Sequence, residues 1–327
     1  MIVEDVQPRL LVALSPRDET RDALNHSLPD VPWAFLEATP ASQRSEVEAI
    51  LAGSFVRANA DFDPSTCPKL DFVQRLYTGL DGIPFAKFPE RVRFAGNVGA
   101  FAPFVAEHAL ALALAAGRDL YASREIVRAG RLRAPPPQRV LCGASAVILG
   151  YGEIGRELAR RLVACDVRVR GLNRTGSPAP GVEGMFSAEQ LREAVAWGDF
   201  IFEVRPLTQR TVGTIGTAEL EAMRPEAVFV NVGRAGTVDE EALYRHLETH
   251  PSFRAAWDVW WTEDRQGDSP PSRFPFGQLS NCVVTPHAAG FAPAAESRAL
   301  RLALENLARY FRDGRPAHVV DRREYTG

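Results

Sequence analysis

The chain has 327 residues, of which 46% are hydrophobic and 24% charged, and its formal net charge is −3. This length predicts about two domains, each able to bury a core without help from disulfides or metals. The balanced charge gives no reason to expect a nucleic-acid or membrane-surface partner.

The sequence also indicates where the protein is expected to reside. Charged residues interrupt the apolar positions near residue 1, and no apolar stretch reaches the ~18 residues that a membrane span needs. The four cysteines are scattered without metal-ligand spacing and are interpreted as buried, reduced thiols. We therefore expect a cytoplasmic protein.

Strand-like and helix-like segments alternate along the first part of the chain. Apolar runs and helical periodicity predict, in order, a strand at 10–14, a helix at 17–28, a strand at 31–36, a helix at 42–52 and a strand at 72–77. In the second of these helices, Val47, Ile50 and Leu51 would share one face. Such alternation is typical of a parallel sheet with helices on its faces.

A long Ala- and Leu-rich helix is predicted over residues 103–118, and a second alternating series begins at residue 145. Its strands are predicted at 147–149, 167–172, 200–204, 227–232, 255–259 and 282–285. One more amphipathic helix is predicted at 294–312. The two series predict an α/β protein with two doubly wound parallel-sheet domains.

The strongest local signal is a glycine-rich turn between a predicted strand and a predicted helix. It reads Gly150, Tyr151, Gly152, Glu153, Ile154 and Gly155. In a dinucleotide fingerprint the first glycine makes the tight turn, the second lets the backbone approach a pyrophosphate, and the third lets helix and strand pack closely. The motif predicts a bound dinucleotide; the alternative is a purely structural turn.

The end of the second strand in this series predicts which dinucleotide is preferred. NAD-binding domains usually place an acidic residue there, but here the residues are Asn173, Arg174 and Thr175, and no acid lies between Asp166 and Glu183. Arg174 would attract a 2′-phosphate. NADP is therefore favoured, NAD is possible, and the alternative is that Arg174 is a solvated loop residue.

Three further segments, 231–239, 258–263 and 285–290, each begin at or just after a predicted strand end, where doubly wound sheets bind their ligands. Together with the fingerprint they resemble the D-isomer-specific 2-hydroxyacid dehydrogenases, with glyoxylate and hydroxypyruvate reductases as the nearest type. Residues 78–81 look like the family's substrate loop, 97–118 like its long interdomain helix, and 206–208 like its cofactor loop.

The resemblance implies two domains and a homodimer built on the long helix. Residues 99–289 would form a Rossmann dinucleotide-binding domain. Residues 1–98 with 290–327 would form a discontinuous, flavodoxin-like substrate domain. The cleft between the domains would close on the ligand.

The resemblance also assigns roles to individual residues. Arg234 would bind the substrate carboxylate and polarise the keto oxygen, and His287 would donate and accept the proton, with Glu263 as its partner. The backbone N–H groups of Gly79 and Leu80 would hold the carboxylate. Asp258 would face the nicotinamide carboxamide, and the other cofactor contacts would be Val204, Arg205, Pro206, Val232, Gly233, Ala289 and Gly290.

The chemistry of the three side chains agrees with these roles. A histidine titrates near neutral pH, a neighbouring carboxylate keeps it protonated, and arginine binds a carboxylate in a planar, bidentate way. The alternatives are ordinary: His287 as a loop residue, Arg234 in a structural salt bridge and Glu263 as a surface charge. His26, His246, His250 and His318 are interpreted as surface residues, and Glu107 and His108 as interface residues of the long helix.

Three departures from the family pattern stand out. The usual Arg-Gly pair reads Arg234-Ala235, with the glycine displaced to Gly236, so a positive φ after Arg234 would strain Ala235. The usual histidine before the cofactor loop is replaced by Arg205. A longer, aromatic and Pro-rich loop over 260–276 would either wall the substrate pocket or lie over the subunit interface.

The sequence therefore predicts an NAD(P)-dependent oxidoreductase that interconverts a small 2-keto acid and the D-2-hydroxy acid. Glyoxylate and hydroxypyruvate, the family's common small substrates, are the default expectation. Two alternatives stay open: a formate- or phosphite-type dehydrogenase on the same scaffold, and a non-catalytic, NAD(P)-sensing protein like the corepressors that share this fold.

Overall fold

The computed structural model describes residues 7–53, 62–132, 138–263 and 269–325. The chain divides into two compact units, residues 1–101 with 292–327 and residues 102–291. Within these described residues each unit contains one sheet, and all the strand pairs within both sheets are parallel. The prediction of two parallel-sheet α/β domains is confirmed; their separate roles stay a prediction.

Both units alternate strands and helices along the chain. The strands are β1 (Leu10–Ala13), β2 (Trp33–Phe35), β3 (Ala49–Ala52), β4 (Phe72–Arg75), β5 (Arg93–Ala95), β6 (Ser145–Leu149), β7 (Arg168–Leu172), β8 (Gly184–Phe186), β9 (Phe200–Glu203), β10 (Val228–Asn231), β11 (Arg254–Trp257) and β12 (Cys282–Val284). The α-helices are α1 (Asp18–Ser27), α2 (Ala102–Gly117), α3 (Leu120–Arg128), α4 (Glu153–Val163), α5 (Leu191–Trp197), α6 (Thr217–Ala222), α7 (Glu240–Thr249) and α8 (Pro293–Asp313).

The sheet of the first unit has the strand order β2-β1-β3-β4-β5, which is the flavodoxin-like order. Because side chains alternate along a strand, each strand buries one set of residues on each face. Leu11 and Ile50 face one core cluster, whereas Leu10 and Leu51 face a second cluster that includes Leu304 of α8. The last helix of the chain therefore covers a sheet made from its first residues.

The predicted helix over 42–52 is wrong, because its second half is strand β3. All four residues of β3 are buried, and they pair with β1 on one side and β4 on the other. A central parallel strand is covered on both faces and so reads as a continuous apolar run, which hydrophobic periodicity cannot distinguish from a buried helix. Only a short 3₁₀ turn, Ala41–Gln43, lies in the first half.

The sheet of the second unit has the order β12-β11-β10-β9-β6-β7-β8. This is the Rossmann order, extended by one strand. Successive strands are added on one side of β6 up to β8 and on its other side from β9 onward, so the strand order reverses between β6 and β9 although the strands are parallel. Helices α2 and α4 pack on one face, where Leu112 and Leu158 meet Ile148 of β6. Helix α7 packs on the other face through Leu243 and Leu247. The carboxyl ends of β6 and β9 thus flank the crevice in which such sheets bind dinucleotides.

Two sequence interpretations of single residues are also wrong. His246 is a buried residue of α7, with only 7% of its surface exposed, because it lies on the inner face of this amphipathic helix. Cys142 is exposed in the turn before β6, although Cys67 is buried as expected. Among the described residues, no helix is both long and apolar enough to cross a membrane.

The burial of strand β3 can be tested by replacing one of its small residues with a larger one. Ala49 is fully buried between two strands, so Ala49→Leu should lower the free energy of unfolding by about 1–3 kcal/mol through overpacking. Urea denaturation followed by circular dichroism measures this. The control is Ala41→Leu, at an exposed position of the 3₁₀ turn. Equal stability of both variants would contradict the buried strand.

Candidate active site and cofactor site

The fingerprint loop between β6 and α4 has the geometry that its glycines predict. Gly150 has φ +101°, a conformation that L side chains rarely adopt, and a Cβ there would lie 2.9 Å from Arg205 Cγ. A Cβ on Gly155 would lie 2.7 Å from the carbonyl oxygen of Gly150. Nothing lies within 4 Å of the Cβ position of Gly152. This open space at the start of α4 fits a phosphate group against the helix N-terminus.

The loop after β9 packs against the fingerprint at Gly150 and against the loop after β10 at Gly233. A Cβ on Gly233 would lie 2.7 Å from the carbonyl oxygen of Arg205 and 2.9 Å from the carbonyl carbon of Val204. The Arg205 side chain folds back on the fully buried carboxylate of Glu203, with Nε 2.9 Å from Oε2. The backbone N–H of Arg205 donates to the same carboxylate at 2.8 Å. Sequence reasoning missed this ion pair, which neutralises the arginine that departs from the family pattern.

The loop after β7, where the ribose is predicted to bind, is ordered by Asn173. Its Oδ1 accepts from the backbone N–H groups of Thr175 at 3.1 Å and Gly176 at 2.7 Å, and its Nδ2 donates to the carbonyl of Ser177 at 2.8 Å. This Asx-type turn leaves Arg174 and Thr175 exposed at the tip of the loop. Asn173 therefore shapes the loop, and Arg174 is presented to solvent on it.

The three predicted catalytic side chains come together within the second unit. His287 Nδ1 lies 2.7 Å from Glu263 Oε1, and both side chains are about one-third exposed. Burial of Glu263 opposes its ionisation, but the hydrogen bond to His287 and the nearby charge of Arg234 hold its pKa below the usual range. Because the Glu263 carboxylate occupies Nδ1, Nε2 is the ring nitrogen of His287 that points away from this pair.

The backbone around Arg234 is fixed by its neighbours. The Asn231 amide and the Thr237 hydroxyl both donate to the Arg234 carbonyl, at 3.1 and 2.8 Å. Arg234 has an extended backbone, and Ala235 begins a 3₁₀ turn that continues to Thr237. Ala235 is not among the residues with positive φ, so the strain that the missing glycine could have caused does not arise.

Asp258 anchors the turn that carries His287. Its side chain is 1% exposed and accepts from the Thr285 hydroxyl at 2.5 Å and from the backbone N–H groups of Ala288 at 2.7 Å and Ala289 at 2.9 Å. His287, between these donors, has φ +54°, which is uncommon for a non-glycine residue. Burial opposes the ionisation of Asp258, but its hydrogen bonds hold its pKa below the usual range.

His108 on α2 is a residue of this network that sequence reasoning missed. Its Nε2 lies 3.0 Å from Thr285 Oγ1 and 3.4 Å from Asp258 Oδ1. The interpretation of His108 as an interface residue gave no hint of these contacts, because some 150 residues separate it from Asp258 in the sequence. Only the packing of α2 against the sheet brings the two together.

Trp260 and Trp261, which follow β11, donate hydrogen bonds to the loops after β12 and β10. Trp260 Nε1 donates to the carbonyl of Thr285 at 2.9 Å, and Trp261 Nε1 donates to the carbonyl of Val238 at 3.0 Å. The Trp261 ring stacks on Phe276, with 5.6 Å between centroids. Both indoles therefore brace strand-end loops of the second unit. Residues 264–268 of the predicted long loop lie outside the described residues.

The other predicted residues lie as follows. Glu153 and Ile154 begin α4, Pro206 is exposed after β9, Val204 and Val232 are buried at the ends of β9 and β10, and Ala289 and Gly290 form the turn after His287. Gly79 and Leu80 follow β4 in the first unit. Their loop is held by Asn97, whose Nδ2 donates to the Leu76 carbonyl at 2.8 Å and whose own carbonyl accepts from Thr78 Oγ1 at 3.0 Å.

Comparison with known proteins gives one family. The family model described as D-isomer-specific 2-hydroxyacid dehydrogenase, NAD-binding domain, matches residues 110–289. The chain is 29% identical to hydroxypyruvate reductase from Thermotoga maritima, over 77% of this chain and 81% of that protein. It is 31% identical to glyoxylate reductase from Korarchaeum cryptofilum, over 78% of this chain and 77% of that protein.

Two solved structures share the fold of this chain over almost its whole length. A candidate formate dehydrogenase from Pyrobaculum aerophilum has a TM-score of 0.84 and 29% identity, covering 97% of this chain and 100% of that one. The NADPH-dependent glyoxylate/hydroxypyruvate reductase from Sinorhizobium meliloti, solved with NADP and sulfate, has a TM-score of 0.79 and 26% identity, covering 97% and 99%.

The anchoring role of Asp258 predicts a pH-dependent contribution to stability. At neutral pH, Asp258→Asn should lower the free energy of unfolding by about 1–3 kcal/mol, since buried N–H donors lose acceptors. Because folding lowers the pKa of Asp258, its contribution is complete above the unfolded value of about 3.9. It is lost as the pH falls through the folded value.

Urea denaturation at a series of pH values measures this contribution. The gap in free energy of unfolding between wild type and Asp258→Asn should be constant from neutral pH to about pH 5 and should narrow below about pH 3.9. Asp22→Asn, at an exposed position of α1, controls for loss of one charge. Equal stability of Asp258→Asn and wild type at neutral pH would contradict the anchoring role.

Proposed function

This chain belongs to the D-isomer-specific 2-hydroxyacid dehydrogenases, NAD(P)-dependent oxidoreductases that act on CH–OH groups, and we propose that it reduces a small 2-keto acid to the D-2-hydroxy acid. The observation that carries the proposal is the 2.7 Å pair of His287 and Glu263 beside the charge of Arg234. These groups follow the carboxyl ends of β12, β11 and β10, where ligands of such sheets bind.

The second unit is the proposed cofactor unit. The loop from Gly150 to Gly155 would hold the pyrophosphate beside Gly152, which leaves open space at the start of α4. The loops that contain Arg205 and Gly233 would line the rest of the crevice. When bound, the reduced nicotinamide supplies the hydride that the 2-carbon of the keto acid accepts. The backbone N–H groups of Gly79 and Leu80 stay predicted contacts of the substrate carboxylate.

His287 and Arg234 are proposed to handle the charge that develops on the substrate. As carbon accepts the hydride, the keto oxygen gains negative charge and requires a proton. His287, protonated on both nitrogens, would donate the proton from Nε2, while Glu263 on Nδ1 stabilises the cationic ring. Arg234 would bind the carboxylate and polarise the keto oxygen. In the reverse direction the neutral His287 would remove the hydroxyl proton.

NADPH is the proposed preferred cofactor. The side chain of Asn173 makes hydrogen bonds within its own turn, and this turn exposes Arg174 at its tip. NAD-binding domains usually have an acidic residue in this loop, which would repel a 2′-phosphate, whereas Arg174 would attract one. The Sinorhizobium meliloti relative is described as NADPH-dependent, which supports the preference. Glyoxylate and hydroxypyruvate are the proposed substrates, because two relatives are named for their reduction. The homodimer and the cytoplasmic location stay predictions.

The acid–base role of His287 predicts a large, specific loss of turnover. His287→Asn should lower kcat about 10²- to 10⁴-fold, because the proton donor is lost. Glu263→Gln should lower kcat less, because the imidazole remains but its cationic form is less stable. The assay follows loss of NADPH absorbance with a panel of 2-keto acids from glyoxylate to phenylpyruvate. The affinity of both variants for NADPH, measured by fluorescence titration, should stay within about twofold of wild type.

His318→Asn is the matched control for His287→Asn. His318 is exposed in the first unit and also has a positive φ, +59°, which asparagine tolerates equally well at both positions. This control should keep wild-type turnover. Cofactor binding without turnover of any keto acid by the wild-type protein would overturn the proposal and would favour a sensing protein.

A second candidate activity is oxidation of formate. The Pyrobaculum aerophilum structure, with a TM-score of 0.84, is described as a candidate formate dehydrogenase. Formate gives up a hydride and becomes CO₂, so its oxidation needs no base to remove a hydroxyl proton. Turnover of formate by wild type should therefore survive His287→Asn far better than keto-acid reduction does. Formate and phosphite, each with NAD⁺ and NADP⁺, complete the panel and separate the two activities.

The role of Arg174 predicts a change in cofactor selectivity alone. Arg174→Gln should raise KM for NADPH about tenfold, because a charge-assisted contact to the 2′-phosphate is lost, and should leave KM for NADH within about twofold. Initial rates at saturating keto acid measure both constants. Arg192→Gln, at an exposed position of α5, is the control. An equal rise of both constants would show that Arg174 does not discriminate between the cofactors.

A further inference from the structure

Three potential metal ligands meet on helices α6 and α7. Glu221 lies on α6, His246 lies on α7, and His250 is the C-cap of α7. One ligand atom of each residue lies within 4.8 Å of those of the other two. A separation of four residues places both histidines on one helix face, and their rings stack with 4.0 Å between centroids. The cluster therefore presents two imidazoles and one carboxylate to a common point.

The hydrogen bonds of His250 fix which of its nitrogens carries the proton. Nδ1 lies 3.0 Å from the carbonyl oxygen of His246, which can only accept, and 3.0 Å from the Thr249 hydroxyl, which donates to the Arg245 carbonyl at 2.8 Å, so Nδ1 is the donor. In the neutral ring Nε2 then carries a lone pair, and it lies 3.9 Å from Glu221 Oε2. In this neutral tautomer two acceptors face each other, and only a second proton on the ring or a bound cation can lie between them. A cation would relieve this repulsion, and a backbone carbonyl on the opposite ring nitrogen is the usual support of a metal-binding histidine.

His246 is held in position before any ion arrives. Its Nδ1 lies 3.3 Å from Glu221 Oε1, and its ring contacts the Phe253 ring edge-on, with 4.6 Å between centroids. A simple hydrogen bond between His246 and Glu221 accounts for this half of the cluster but leaves Nε2 of His250 facing a carboxylate. Glu221 is 53% exposed, so its side chain can turn and water can reach the site.

We propose that Glu221, His246 and His250 bind a divalent transition-metal ion of the zinc class. Two imidazole nitrogens and one carboxylate oxygen suit Zn²⁺, and water would complete a tetrahedral shell. Zinc–nitrogen bonds are about 2.0–2.1 Å long, so the ligand atoms have to approach one another by about an ångström on binding. The exposed carboxylate of Glu221 supplies most of that adjustment.

The topology separates this site from the catalytic groups. Glu221 precedes β10 and His250 precedes β11, so the cluster lies at the amino ends of these strands. Arg234, Glu263 and His287 follow the carboxyl ends of β10, β11 and β12. A bound ion would therefore join α6 to α7 and stabilise the fold without contacting the reacting groups, and the proposal does not depend on the proposed function.

Zinc titration of the metal-free full chain tests the site. A chromophoric chelator in competition gives the affinity for Zn²⁺, and thermal unfolding with and without Zn²⁺ gives the stabilisation. His250→Gln and Glu221→Gln should each weaken the binding at least about tenfold and should remove the rise in unfolding temperature. Both residues are partly exposed, so neither variant should prevent folding. His26→Gln, at an exposed position of α1, should bind Zn²⁺ like wild type.

A second readout identifies the ligands. Co²⁺ at the site should show visible d–d bands in wild type that both variants lack, without the near-ultraviolet band of a thiolate ligand. The measurement is repeated with thiols alkylated, because Cys142 is exposed. Equal affinity for Zn²⁺ in wild type, His250→Gln and Glu221→Gln would overturn the proposal. Binding that disappears on alkylation, or only with His287→Asn, would overturn it by placing the ion elsewhere.

Discussion

A buried carboxylate holds the candidate active site together. Asp258 can stay ionised inside the second unit only because hydrogen-bond donors surround it, and two of these are the N–H groups of Ala288 and Ala289. Meeting that requirement forces the chain after β12 into a turn that would otherwise be unfavourable at His287. The position of the candidate acid–base residue is thus set by the electrostatic needs of a different side chain.

The cofactor crevice depends on a steric constraint of similar strictness. The loops after β6, β9 and β10 approach one another so closely that a Cβ on Gly150 or on Gly233 would clash with the loop of Arg205. The charge of Arg205 is neutralised by the buried Glu203, so this loop offers backbone and shape rather than a net positive charge. Phosphate recognition in such a crevice rests on helix α4 and its free N–H groups.

Features encoded by local pattern were predictable, and features created by long-range packing were not. Strand–turn–helix context was sufficient to place the fingerprint at Gly150, and the order of the motifs indicated the family. The strand β3 was missed because apolar periodicity is ambiguous for a run buried on both faces. His108 and Glu203 carry no local signature, because their partners and their burial exist only in the folded sheet. The roles of Arg234, Glu263 and His287 are supported by geometry and stay proposals until turnover is measured.

The first unit is made of two separate segments of the chain, and this delays the completion of its folding during synthesis. Strands β1 to β5 leave the ribosome before the second unit, but α8, whose Leu304 and Leu307 cover one face of their sheet, is made after all 190 residues of that unit. At 5–20 residues per second this interval lasts about 10–40 s. During it the nascent sheet exposes Leu10, Val12 and Leu51. Folding of the first unit is therefore incomplete until α8 has been made, and until then its exposed apolar surface favours aggregation.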